Sequence, residues 1–149
     1  MKFKLPKLKL PIKLPKIKMP KFQFLRAVDW DSISRVTLGA LFLIFGLNGI
    51  LHLIPLPEMS PSGVDFMMAM SNTGYMLVFV KLIEIICGSL LLLNRYTKLA
   101  LVMIAPVVAN IAAFHFFLDW GGMSMAILLC GLLSHCVWVR RESYSVLLD

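Results

Sequence analysis

The sequence predicts an all-α fold: a transmembrane four-helix bundle preceded by an extended, Lys/Pro-rich N-terminal arm. Three observations lead there. Hydrophobic residues make up 59% of the chain and charged residues 15%, with a mean hydropathy of +0.83, more apolar surface than a soluble core of this length can hide. Four apolar runs, residues 36–54, 75–93, 99–118 and 123–139, each approach the roughly 20 residues that a helix needs to cross a bilayer. Positive charge gathers at one flank: residues 1–35 hold ten Lys and Arg against two Asp, while the whole chain has a net charge of +7.

The arm, residues 1–24 (MKFKLPKLKLPIKLPKIKMPKFQF), is low-complexity. Lysines interrupt every apolar pair, so it lacks the uninterrupted core of a signal peptide. Pro6, Pro11, Pro15 and Pro20 exclude a helix, because each removes a donor and clashes with the preceding turn. The prolines recur at a spacing of nine, a multiple of the three residues per turn of polyproline II. In that geometry an apolar ridge with Leu5, Leu8, Leu14 and Ile17 runs beside a basic one with Lys4, Lys7, Lys13 and Lys16. A plain disordered basic tail is the first expectation for this arm, binding along anionic lipid the second and docking on a partner subunit the third. Nucleic acid is the weaker partner.

Residues 25–35 have the pattern of an interfacial helix start, with Asp31 or Ser32 as the cap and Trp30 at the interface. The first span, 36–54, is stopped by Pro55 and Pro57. In the connection that follows, the apolar stretch 64–70 predicts a short surface helix among turn formers. The second span, 75–93, leads through NRYTK into the third, 99–118, whose Pro106 is tolerated in a membrane where neighbours satisfy the freed carbonyl. DWGGMS joins it to the fourth span, 123–139. Arg140 and Arg141 close the bundle at residue 141, leaving a tail over 142–149. Loops carrying Lys and Arg stay on the cytoplasmic side. The arm, Arg95 with Lys98, and Arg140 with Arg141 fall on one side, and Glu58, Asp65 and Asp119 on the other. Both termini are therefore expected in the cytoplasm, in a bacterial-type inner membrane.

The second span carries Lys81 and Glu84 in its middle, where an ionisable group costs roughly 2.5–3.5 kcal/mol even on lenient insertion scales. Three apart on a helix, the two share a face and can pair. Helix rise gives depths from the outer end of each span of roughly 3 Å for His52, 9 Å for Asn48 and Lys81, 14 Å for Glu84, 5 Å for His115 and 12 Å for Asn110. Lipid offers these groups no hydrogen bonds, so Asn48, His52, Lys81, Glu84, Asn110 and His115 are expected to point inward to one outward-opening pocket. A buried clasp that fixes helix register and does no chemistry explains the same residues. Gly39, Gly46, Gly49 and Gly88 permit close backbone approach. Cys87, Cys130 and Cys136 lie inside apolar runs with neither disulfide nor metal-site spacing, and His135 has no charged company. No metal, haem or flavin motif is present.

GLNGILHLIP in the first span and KLIEIICGSLLLLNRYTKLALVMIAPVVANIAAFH across the second and third resemble the DoxX-like family of small four-helix integral membrane proteins. The resemblance spans residues 35–139 and leaves the arm outside. It implies a small membrane subunit, in some members tied to thiosulfate:quinone or thiol redox systems, with the six polar residues forming a pocket for quinone or a similar small molecule. Without a CxxC, a matched haem-ligand pair or a flavin fingerprint, an accessory subunit of a redox system is expected rather than a self-sufficient enzyme. The alternative is a non-catalytic membrane anchor or assembly subunit, joined to a protein partner or to its own copies, whose basic arm binds a partner protein or anionic lipid.

Overall fold

The computed structural model describes residues 29–55 and 57–144. The polyproline expectation for the arm, with Lys4, Lys7, Lys13 and Lys16, lies outside them. The described residues form five α-helices: α1 (Trp30–Leu51), α2 (Pro61–Asn72), α3 (Met76–Leu92), α4 (Thr97–Phe117) and α5 (Met123–Val139). α1 packs against α3 and α5, α3 against α4, and α4 against α5, closing a ring of four with α2 attached at one end. Trp30–Leu51, Thr97–Phe117 and Trp120–Val139 are each long and apolar enough to cross a membrane, and α2 with α3 passes the same test as a pair bent by 94°. α3 alone has 17 residues, about 26 Å of rise against a hydrocarbon core of about 30 Å.

α1 starts earlier than the apolar run because its cap is Asp29, not Asp31 or Ser32. The Asp29 carboxylate accepts from the Ser32 amide at 2.6 Å, and that backbone hydrogen bond holds the carboxyl below its ordinary range. The helix stops short of Pro55 because His52 adopts a left-handed conformation, φ 53°, with its N–H bonded to the Asn48 carbonyl. Asn48 then fixes the exit: its amide donates to the Ile54 carbonyl at 3.0 Å and its carbonyl oxygen accepts from the Ile54 N–H at 2.6 Å.

α2 extends beyond the expected 64–70, with Pro61 in its first turn and Ser60 as cap, accepting from Gly63 N. Between α2 and α3 the chain turns at Gly74, φ 77°, a conformation glycine adopts without strain. Thr73 brackets that turn, donating to Met70 O at 2.7 Å and accepting from Met76 N at 3.0 Å. α4 is entered through Asn94 and Tyr96, both at positive φ. A 3-10 turn, Trp120–Gly122, leads into α5.

Tight packing concentrates at the end of the bundle that carries the termini. Leu38, Phe42, Cys87, Leu91, Leu101, Ile104 and Cys136 are fully buried there. α1 and α3 touch through backbone, since a Cβ on Gly88 would stand 2.7 Å from Leu43 N and 2.8 Å from Gly39 O. Arg35, buried, donates to the Leu91 carbonyl at the last turn of α3. Arg140 grips Asp31 with both terminal nitrogens at 2.7 and 2.9 Å and also donates to Cys136 O at 2.9 Å. These arginines therefore join helices as well as flanking them. Large apolar residues such as Ile44, Leu47, Val78, Leu82, Val102 and Ile127 face outward, as a bilayer requires.

Two outcomes follow. Gly88→Ala forces backbone apart at the α1–α3 contact and should cost about 1–3 kcal/mol in detergent unfolding. A double-mutant cycle of Asp31→Asn with Arg140→Gln should show a coupling of about 1 kcal/mol or more in the same measurement.

Candidate functional site

Side chains of α2, α3 and α4 meet around one space at the end of the bundle that carries α2. The result is a cavity of about 110 Å³ whose polar wall is Lys81, Glu84, Asn110 and His115, the remainder being apolar side chains that include Phe66, Met70 and Phe114. Lys81 Nζ donates to Glu84 Oε2 at 2.8 Å, with side-chain exposures of 19% and 4%. A carboxylate so enclosed is tolerable because the ammonium beside it offsets its charge and supplies a charge-assisted hydrogen bond.

The Lys81 stem owes its path to Gly49. A Cβ there would lie 2.5 Å from both Cδ and Cε of Lys81, so the missing side chain leaves a groove that leads the ammonium to Glu84. Gly46 does the same for Glu84 itself, whose Cβ would be 3.1 Å from a Cβ at that position. The glycines expected to bring helices together thus also position the ion pair.

Asn110, on α4, is exposed and makes no hydrogen bond among the described residues. His115, in the last turn of α4, places Nδ1 2.9 Å from Asp119 O and 3.6 Å from Asp119 Oδ2. Its ring meets Phe114 edge-on at 5.0 Å. Asp119 is buried, and its Oδ1 accepts from Ser60 N at 3.0 Å, while the Ser60 hydroxyl donates to Leu118 O. In the sequence Asp119 is only one of the acids on the non-basic side; its structural role comes from joining the cap of α2 to the end of α4. Beyond it lies a second cavity of about 290 Å³, bordered by Glu58, Met59, His115, Asp119 and the Gly121–Gly122 turn.

Four of the six expected pocket residues, Lys81, Glu84, Asn110 and His115, therefore line one cavity. Asn48 and His52 stand apart from it. The Asn48 amide is spent on Ile54, and His52, exposed at the end of α1, turns its ring onto Ile50 O at 3.1 Å. On α5, His135 has a buried Nδ1 without a hydrogen-bond partner among the described residues. Cys87 and Cys136 are buried free thiols, and Cys130 is half-buried. Among the described residues no group of three or more His, Cys, Asp or Glu is placed to hold a metal ion.

Comparison with curated proteins and with solved structures found no match. A family comparison did: the DoxX profile matches residues 31–117, from the first turn of α1 to the end of α4, and takes in all four polar residues of the cavity wall. With that match over more than half of its length and three or four helices able to cross a bilayer, the chain belongs to the DoxX family and is a multi-pass integral membrane protein.

Proposed function

We propose that this DoxX-family protein is an accessory subunit of a redox-linked membrane complex, holding a quinone or a similar carbonyl-bearing ring between α2, α3 and α4. The observation that carries the reading is the Lys81–Glu84 pair, 2.8 Å apart in the wall of an apolar cavity that also contains an amide with no hydrogen bond among the described residues. Ionisable residues inside a membrane are costly and mark functional sites by default. About 110 Å³ is less than the roughly 150 Å³ of the engineered cavity that takes up benzene, so the cavity would take the carbonyl-bearing edge of a ring and leave the rest of the molecule outside it.

The donor set suits such a ring. Lys81 keeps two N–H groups after serving Glu84, and Asn110 both donates and accepts. Apolar walls from Phe66, Met70 and Phe114 would cover the faces of that edge, with the rest of the molecule leaving between α3 and α4 toward lipid. A bound quinone supplies two-electron, two-proton chemistry; Glu84 holds or releases a proton beside it, and the electrons come from a partner. The end carrying α2 faces away from the cytoplasm in this reading, because Arg95, Lys98, Arg140 and Arg141 sit at the opposite end.

Asn110→Leu separates this reading from the clasp that only fixes register. With no side-chain hydrogen bond to lose, it should leave the melting temperature in detergent unchanged or higher, while weakening binding of menadione or decylubiquinone by about tenfold, the worth of one hydrogen bond. Glu84→Gln should weaken it at least as much, and His52→Ala should not change it. Loss of stability without loss of probe binding would leave the clasp.

A second reading, membrane anchoring through the arm, draws on the sign of the charges. Arg95, Lys98 and Arg141 are exposed at the terminal end, so the body repels Lys4, Lys7, Lys13 and Lys16 and favours anionic lipid at about 1 kcal/mol per basic residue. A fluorophore on the arm should be immobilised in nanodiscs of anionic lipid and released by salt, and should tumble freely in zwitterionic ones. Equal mobility in both would count against lipid as the arm's partner.

A further inference from the structure

His115 is the one titratable side chain shared by the walls of both cavities described above. On one side it faces the narrow cavity with Lys81 and Glu84 of α3; on the other it faces the larger cavity with Glu58 of the α1–α2 connection and Asp119 of the α4–α5 turn. If Glu84 exchanges protons with a ligand, it must recover them from water. The remaining walls of its cavity offer only apolar side chains and the Asn110 amide, which does not titrate. An imidazole has a proton on one ring nitrogen and a lone pair on the other, so it can take up a proton from one compartment and release one to the other.

We propose that His115 is the proton relay between Glu84 and the water-facing end of the protein that carries α2, an assignment that rests on reading the narrow cavity as a ligand site. Asp119 is its positioning residue: the backbone oxygen 2.9 Å from Nδ1 and the carboxylate at 3.6 Å fix the ring, and Ser60 N in turn holds that carboxylate at 3.0 Å. Gly122 leaves the space, since a Cβ at that position would fall within the His115 ring. In one passage the nitrogen facing one cavity gains a proton, the opposite nitrogen gives one up, and tautomer exchange restores the ring. In a passage toward Glu84, an O–H bond on the water side breaks as one N–H bond forms, and the opposite N–H bond breaks as an O–H bond forms on the Glu84 side; two protons each move one step, one proton is transferred net, and no electron moves.

The test is a pH jump on the full chain in lipid nanodiscs, followed by infrared absorption of the Glu84 carboxyl, with its band assigned by difference against Glu84→Gln. His115→Gln should slow the protonation response of that band by about tenfold or more. Gly122→Ala, which displaces the ring without removing a titratable group, should slow it as well, and it serves as the test if the first variant fails to fold. His135→Gln, a histidine outside both cavities, should respond at the wild-type rate. A wild-type rate in folded His115→Gln or Gly122→Ala would overturn the relay and leave His115 as a fastener of the α4–α5 turn. Menadione binding is measured separately: its absence, with a His115-dependent rate retained, would remove the ligand reading and keep the proton path.

Discussion

A carboxylate within a membrane-spanning helix bundle is costly unless it takes up a proton or has a counter-charge at hydrogen-bond distance, and much of this bundle's geometry provides that counter-charge. The Lys81 ammonium reaches Glu84 at 2.8 Å by laying its stem across Gly49, and α1 comes close enough to enclose the pair because Gly46 has no side chain facing Glu84. One turn further, Gly39 and Gly88 bring the same two helices into backbone contact. The glycines of α1 therefore divide the work: Gly39 sets the α1–α3 distance, Gly49 makes room for the Lys81 stem, and Gly46 does both for Glu84 and the α3 backbone. A larger side chain at any of them would have to displace either α3 or the ion pair.

The two ends of the bundle are built differently. Toward the terminal end, Leu38, Phe42, Leu91, Leu101 and Ile104 are fully buried, and Arg35 and Arg140 tie α1 to α3 and α5. At the other end α3 stops at 17 residues, and α2 folds across it, held by the Ser60–Asp119 link, the Thr73–Gly74 turn and a Phe66–Phe114 ring contact at 5.5 Å. Few buried apolar contacts secure α2, which places it among the elements that open at low free energy. Both cavities lie at this less densely packed end, so the rigid half acts as the scaffold on which the site is mounted.

The sequence made the helices legible because bilayer length and apolar composition are properties of whole segments. Lys81 and Glu84 were equally visible, since charges in the middle of an apolar run require an explanation and their spacing supplies one. What escaped were decisions made by single backbone geometries. Nothing in the run GLNGILHLIP announces that His52 will take a left-handed conformation and leave the helix, or that Asn48 will spend its amide on Ile54; depth counting assumes that the helix continues. Asp119 looked like an ordinary loop acid because its partner, Ser60, is 59 residues away. Gly49 and Gly122 matter through side chains that cross the space they leave, and such absences can be recognised only once the crossing side chains, Lys81 and His115, are in place.

The division of labour follows the chain as well as the space. The segment matched to the DoxX family, residues 31–117, contains Lys81, Glu84, Asn110 and His115 together with the glycines that seat them. Asp119, Gly122 and Arg140 come after it. α5 supplies no wall to the narrow cavity; it packs against α1 and α4 and locks to Asp31 through Arg140. The turn that begins it holds the His115 ring from outside. The matched segment thus contains the polar walls of the cavity, while the stretch that follows braces the bundle and orients His115, the imidazole that lines both cavities.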